Sequence, residues 1–148
     1  MAADVFKVFD IFLEQLGAEA HNLNGADTIR VALIDSGWTP NTATDTNFSD
    51  VDANENSDTG YTAAGAIAVM SWAAATGTLK CDTADVSWTA GAGGITSRYA
   101  VVYNDTIAGN NDLICYSLLD NTPADVTAAE GVDLKVNMNA SGLFTIAQ

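Results

Sequence analysis

The sequence predicts a mainly β protein: an antiparallel β-sandwich or small barrel of about seven to eight strands that follow one N-terminal α-helix. Three observations lead to this prediction. Apolar residues near the N-terminus recur with the period of a helix, later segments alternate apolar and polar residues, and clusters of Gly, Asn, Asp and Thr separate those segments. The length of 148 residues suits a single domain, residues 1–148, whose β part begins at about residue 27.

The helix is predicted from residue 4 to about residue 20. Asp4 is the expected N-cap, because a carboxylate there accepts hydrogen bonds from the first turn and suits the helix dipole. Gly17 lies near the end and weakens the last turn. The apolar stripe is long and rich in phenylalanine, and it consists of Val5, Phe6, Phe9, Phe12, Leu13 and Leu16.

Eight segments read as strands because they alternate or are rich in β-branched and aromatic residues. The last two, with the turn residues 139–142 between them, predict a terminal hairpin. A polar stretch, residues 35–61, is too long for a plain connector, and we expect it to be functional or mobile. The predicted strands are residues 28–34, 66–74, 78–82, 85–89, 98–104, 112–119, 132–138 and 143–146.

The charge balance excludes several classes of function. Asp and Glu number 19 against 5 Lys and Arg, so the formal net charge is −14, with the densest acidic stretch at residues 45–58. Such a field repels phosphate backbones and anionic lipids, so we expect neither nucleic acid nor membrane as a partner. His21 is the only histidine, and no serine or cysteine context marks it as a catalytic base. We therefore predict that the protein is not an enzyme and needs no cofactor.

One stretch within the long loop resembles the first half of a calcium-binding loop, because oxygen-bearing side chains occupy every second position. Glu55 replaces the glycine that makes the sharp turn, and Tyr61 replaces the bidentate glutamate. We therefore expect a solvated acidic loop and no metal site. The residues of this weak calcium candidate are Asp50, Asp52, Asn54, Asn56 and Asp58.

Most of the remaining aromatic residues have a structural explanation, since they fall in predicted strands where they pack against cross-strand neighbours. An exposed carbohydrate-binding platform is the alternative for this set. Trp38 lies in a turn before Pro40, where it either fills the core or contacts a partner. The phenylalanines of the helix could likewise pack in the core or contact a partner. Strand aromatics are Trp72, Trp88, Tyr99, Tyr103 and Tyr116; the candidates for a partner interface are Phe6, Phe9, Phe12 and Trp38.

Cys81 and Cys115 are too few for a disulfide scaffold or a zinc site, so we predict two buried free thiols. No apolar run is long enough to span a bilayer, and the N-terminus lacks the basic start of a secretory signal. We expect the protein to fold in the cytoplasm of the cell that makes it.

Several segments spread over nearly the whole chain carry a resemblance to a known family. The most specific is RYAVVYNDT at residues 98–106, and the others are HNL (21–23), DTIRVAL (27–33), GYTAAGA (60–66), VSWTA (86–90) and NASGLFTI (139–146). With these features the chain resembles a family of small virion proteins of tailed bacteriophages. The resemblance implies a structural role without catalytic residues.

Within that family the expected role is a capsid decoration, or cement, protein that binds the major capsid protein on the outer surface of the head. Strong acidity suits an outer coat, and capsid symmetry makes a homotrimer the expected oligomer. The expected location is therefore the capsid surface of a virion assembled in the host cytoplasm. Alternatives are a tail, head-fibre or baseplate component, a carbohydrate-binding module, and, least favoured, a glycosidase with paired acids.

Overall fold

A computed structural model describes residues 4–106 and 111–147. Over these residues the fold is mainly β, with twelve strands, all paired antiparallel, one α-helix and two short 3-10 helices at Phe48–Asp50 and Asp52–Asn54. In chain order the elements are β1 Lys7–Val8, α1 Asp10–Gly17, β2 Ile29–Ile34, β3 Ala66–Ala68, β4 Met70–Ala75, β5 Thr78–Thr83, β6 Val86–Thr89, β7 Ile95–Ser97, β8 Tyr99–Asn104, β9 Leu113–Leu118, β10 Val126–Ala128, β11 Asp133–Val136 and β12 Phe144–Ala147.

The strands form one large sheet and three small ones. The large sheet has the order β1-β9-β8-β2-β3, and the small sheets are β12-β5-β4, β11-β6 and β10-β7. None of the sheets closes into a barrel over the described residues, so the sandwich-like form of the predicted fold class is the one observed. The strand count exceeds the prediction because four strands contain only two or three residues, a length that sequence periodicity does not detect.

Two hydrophobic clusters lie on opposite faces of the large sheet. Along β8, Ala100 and Val102 belong to the first cluster, whereas Val101 and Tyr103 belong to the second. The small sheets cover the first cluster, and the long segment 35–61 covers the second with Trp38 and other apolar side chains. The large sheet is therefore the middle of three layers, which explains why β2, β8 and β9 are almost continuously apolar.

The N-terminal helix is shorter than the prediction of residues 4–20. It spans only Asp10–Gly17, and the residues before it form β1, which pairs with β9. Asp4 is not a helix cap, since its backbone N–H donates to the carbonyl of Leu118 at 3.0 Å. Pairing with the edge of β9 satisfies backbone groups that a first helical turn would leave unpaired, so the tertiary contact overrides the helical periodicity.

The predicted terminal hairpin does not form, although both of its strands do. β11 pairs with β6, and β12 pairs with β5. The predicted turn is present, with Gly142 at φ +81° and its N–H donating to Asn139, but the next N–H, of Leu143, donates to the carbonyl of Cys81 on β5. The turn therefore carries the chain from one small sheet to another.

Residues 66–74, predicted as one strand, divide at Val69 into β3 and β4, which belong to different sheets. β3 is the edge of the large sheet beside β2, and β4 is the edge of the small sheet beside β5. A single continuous segment thus forms the outer strand of two sheets.

Candidate functional site

The four aromatic candidates for a partner interface lie inside the molecule. Phe9 and Phe12 are fully buried, and Phe6 and Trp38 expose only 5% and 6% of their surface. Phe6 and Phe12 belong to the first hydrophobic cluster, and Phe9 and Trp38 belong to the second. This corrects the prediction of a partner contact: the four rings stabilise the fold, and a partner cannot reach them while the protein is folded.

Trp38 holds the long segment against the second face of the large sheet. Its ring packs edge to face on Tyr99 and Tyr116, with centroid distances of 5.2 and 5.5 Å. The indole N–H donates to the carboxylate of Asp45 at 3.2 Å, so the polar end of the ring is satisfied as well. Of the two roles open to this residue in the sequence, the structure assigns it to the core.

The acidic loop begins with a carboxylate that caps a turn. Oδ2 of Asp50 accepts the backbone N–H of Thr46 at 2.8 Å and that of Asn47 at 3.1 Å, and the side chain of Asn47 caps the same turn in return. The N–H of Thr46, aided by that of Asn47 and by the Thr46 hydroxyl, lowers the pKa of the Asp50 carboxyl below its ordinary value of 3.8. Asp50 therefore stabilises the loop conformation.

Asn56 and Asp58, at the other end of the acidic loop, fasten it to β7. Asn56 is only 3% exposed, and its amide donates to the carbonyl of Thr96 at 2.8 Å and contacts a carboxylate oxygen of Asp35 at 3.1 Å. Asp58 accepts the backbone N–H of Thr96 at 2.8 Å. Of the calcium candidates, Asp50 thus belongs to one hydrogen-bond network, and Asn56 and Asp58 belong to another. Over residues 4–106 and 111–147, no group of three or more His, Cys, Asp or Glu side chains is arranged to hold a metal ion.

An acidic cavity of about 240 Å³ lies between the long segment and β7. Three carboxylates line it, and each already has a partner: Asp35 accepts the hydroxyl of Ser97, Asp58 accepts from β7, and Asp125 pairs with Arg98 at 2.8 Å. The sequence offered no signal for this grouping, since its members are far apart in the chain.

His21 belongs to a partly buried polar cluster that the sequence does not predict. Its Nδ1 lies 3.0 Å from the amide nitrogen of Asn104, which also donates to Asp27 at 2.6 Å. The contact requires Nδ1 to accept, so Nε2 carries the proton of the neutral ring. Nε2 of His21 and Oδ2 of Asp112 are both buried without a hydrogen-bond partner. No local sequence signal predicts this cluster, because three distant segments build it.

Burial dominates the electrostatics of this cluster. Desolvation lowers the pKa of His21 below 6.5, against the opposing effect of Asp112 and Asp27, and desolvation raises the pKa of Asp112. Among the described residues, no serine or cysteine forms a hydrogen bond with His21.

The two cysteines are buried free thiols, which confirms the prediction. Burial raises the pKa of Cys81 to about 12 and that of Cys115 well above 9.0. Both therefore stay protonated at neutral pH and are poor nucleophiles.

All 12 Phe, Trp and Tyr residues are buried or half-buried. Trp88 packs on Tyr61 of the long segment, and the half-buried Trp72 packs on Phe144. β5 lies between the strands of Trp72 and Phe144, so neither contact joins neighbouring strands. Tyr99 and Tyr116, on the neighbouring strands β8 and β9, do make the cross-strand contact that the sequence predicts, with ring centroids 6.3 Å apart.

Every basic side chain has an electrostatic partner. The four ion pairs have N–O distances between 2.6 and 3.2 Å and are Arg30–Asp105, Lys80–Asp82, Arg98–Asp125 and Lys135–Asp85. The remaining one, Lys7, lies over the ring of Tyr116, with Nζ 5.8 Å from the centroid. The excess carboxylates thus dominate the surface, and no cluster of unpaired cations opposes them.

Large apolar side chains do reach the surface in one segment that carries no charge. Ile67 and Val69 are 62% and 74% exposed, and they lie between Asp58 and Lys80, a span without Asp, Glu, Lys or Arg. The sequence predicts residues 66–74 only as a strand. The missing charge in an otherwise acidic chain is the signal that would have marked this surface.

No protein-family model, curated protein or solved structure matches this chain. Within the described residues, no helix has both the length and the apolar composition required to span a bilayer.

Proposed function

We propose that the protein is a non-enzymatic structural component of a tailed-bacteriophage virion and, within that class, a decoration protein on the outer surface of the capsid. The proposal rests on one observation: polar side chains that could serve chemistry form hydrogen bonds within the fold instead. Among the side chains that the sequence offered for chemistry, Asp50, Asn56 and His21 form internal hydrogen bonds of the fold. The resemblance of the sequence to phage virion proteins supplies the biological setting.

The charge distribution favours the outside of the capsid over its interior. The formal net charge is −14, and the basic side chains are already paired. Such a surface is repelled by packaged DNA and has no cationic cluster to bind it. A three-layer β body with aromatic residues in both clusters is a rigid block that suits repeated attachment to the major capsid protein.

The test is to remove the protein from virions, add back the purified chain, and image the particles by cryo-electron microscopy. The expected result is regular density on the outer face of the head and a head that resists heat better after the addition. Density confined to the tail or baseplate would overturn the capsid assignment and favour the tail-component alternative. Absence from the virion would overturn the proposal entirely.

A hydrolase assay separates this proposal from the enzyme alternative. Incubation with a panel of polysaccharides should release no reducing ends above the level given by heat-unfolded protein. Release that depends on the folded chain would contradict a purely structural role.

A further inference from the structure

β4 is an edge strand without the usual protection. It lies at the outside of the small sheet β12-β5-β4. Edge strands of soluble proteins commonly carry charges, prolines or bulges that prevent pairing with another chain. The span between Asp58 and Lys80 contains neither a charged residue nor a proline, and the register of β4 with β5 is regular from Met70 to Ala75.

The backbone of β4 offers hydrogen bonds on its outer side. The N–H of Ala84 donates to the carbonyl of Val69. The backbone N–H and C=O of Val69, and those of every second residue after it, therefore face β5. The backbone N–H and C=O groups of Met70, Trp72 and Ala74 therefore point away from β5. β2 pairs with the preceding strand, β3, only as far as Ala68, so it does not pair with β4.

The free edge has a definite length. It begins at Met70, just after the part covered by β2, and ends at the turn formed by Thr76 and Gly77, whose φ angles are +48° and +78°. This is room for a short antiparallel ladder centred on Trp72.

We propose that the edge of β4 binds the same edge of a second copy of this chain, antiparallel about a two-fold axis at Trp72. The two small sheets then become one six-stranded sheet in the order β12-β5-β4-β4-β5-β12. The inference concerns self-association and does not depend on the virion role. It replaces the homotrimer expected from capsid symmetry with a two-fold dimer, the commonest closed arrangement of identical chains.

The charge of the chain favours a second copy at this place. Two molecules that each carry a net charge of −14 repel one another over most of their surface. On β4 itself no side chain is charged, and on the neighbouring strand Lys80 neutralises Asp82 at 2.8 Å. At this neutral edge the like-charge repulsion between two copies is therefore weaker than on the acidic surface.

The side chains of β4 are compatible with the antiparallel arrangement. The two-fold axis sets Met70 opposite Ala74 of the second copy, Ser71 opposite Ala73, and Trp72 opposite its own copy. The two tryptophans then form an aromatic cross-strand pair at the axis, and each of the other pairs contains an alanine. A parallel arrangement in register would set Met70 beside Met70 as well as Trp72 beside Trp72.

The first test compares two lysine substitutions by sedimentation velocity over a range of protein concentrations. Ala73 and Thr145 are both exposed and both pair with Lys80, so they lie in one row of the same sheet at opposite edges. Wild type is expected to be a dimer. Ala73→Lys should weaken the dimer by about tenfold or more, because it places cations in the ladder, whereas Thr145→Lys should not.

A wild type that stays monomeric or forms trimers at all concentrations would overturn the proposal. So would a dimer that Thr145→Lys dissociates and Ala73→Lys leaves intact, since that result moves the contact to β12. Circular dichroism establishes that both variants fold.

A second test does not rely on disruption. In the proposed register Ser71 faces Ala73 of the second copy in a pair without backbone hydrogen bonds, a geometry that a disulfide can bridge. The double variant Ser71→Cys/Ala73→Cys should form a covalent dimer under mild oxidation, and each single variant should form much less. The native thiols are buried and do not compete. Equal cross-linking in all three, or none in the double variant, would contradict the register.

Discussion

The ring of Phe48 stacks on the ring of Tyr103, with centroids 4.1 Å apart and planes within 14° of parallel. Phe48 belongs to the long polar segment, and Tyr103 is a fully buried residue near the C-terminal end of β8. A segment that the sequence marks as a functional or mobile loop is thus a packed layer of the fold. Trp38, near the start of the same segment, packs on Tyr99 and Tyr116 of the large sheet.

We predict that Phe48→Ala lowers the free energy of unfolding by about 3–5 kcal/mol, because it leaves a cavity over Tyr103 and uncovers the second cluster. Urea denaturation measures the change. Thr44→Ala, at an exposed position in the same segment, is the control and should change stability by less than about 0.5 kcal/mol. Equal effects of the two substitutions would mean that the segment does not pack as described.

Truncating two neighbouring residues of the helix α1 is predicted to change the stability of the protein by very different amounts. Phe12 is fully buried, whereas Leu13 is 56% exposed. Phe12→Ala should cost about 3–5 kcal/mol of stability, and Leu13→Ala should cost well under about 1 kcal/mol. Thermal unfolding followed by circular dichroism gives both values. If Phe12→Ala folded as stably as wild type, its assignment to the core would be wrong and the partner-contact interpretation would return.

The carboxylate of Asp50 is predicted to stabilise the protein in a manner that depends on pH. Its pKa is lowered in the folded state, so its contribution is present above its ordinary pKa of 3.8 and is lost as the pH falls through the lower folded value. Because the carboxylate of Asp50 is exposed to solvent, Asp50→Ala should lower the free energy of unfolding at pH 7 by only about 0.5 kcal/mol, and the difference from wild type should shrink below about pH 4.

The matched control for Asp50→Ala is Asp52→Ala, two residues further along the same loop. In the described structure the carboxylate of Asp52 accepts no hydrogen bond, so its removal should have little effect at either pH. A constant deficit of Asp50→Ala from pH 7 down to pH 2 would show that its effect does not arise from the ionised carboxylate.

As the only histidine, His21 gives an unambiguous proton NMR titration. We predict a pKa below 6.5 for the folded protein, because burial disfavours the imidazolium. Asp112→Asn should lower the pKa of His21 further, since it removes a negative charge that raises it. Asp52→Asn, in the distant acidic loop, should leave the titration unchanged, and an upward shift in Asp112→Asn would refute the proposed coupling.

His21 is also predicted to contribute to the pH dependence of stability near neutrality. With a folded pKa below 6.5, His21 takes up fewer protons in the folded than in the unfolded chain. The free energy of unfolding therefore falls as the pH is lowered from about 6.5 toward the folded pKa. The slope in this interval should be smaller in His21→Gln.

The sequence by itself determined the class of fold and the environment of several residues. Alternation along residues 28–34 and the near-continuous apolar stretches 98–104 and 112–119 predict β2, β8 and β9 almost to the residue, because these central strands are buried on both faces and their composition follows from burial. The buried state of Cys81 and Cys115 followed from the same reasoning. Acidity and the single histidine come directly from composition.

Only the tertiary structure decided which strands pair and which aromatic residues are core. A period of two identifies a strand but not its partner, so the turn at Gly142 looked like a hairpin turn until Leu143 was seen to bond to Cys81. The N-terminal residues have helical spacing, yet the open edge of β9 binds Lys7 and Val8 as a strand. Backbone pairing and burial between distant segments outweigh local preference, and those contacts are not encoded in any single stretch of sequence.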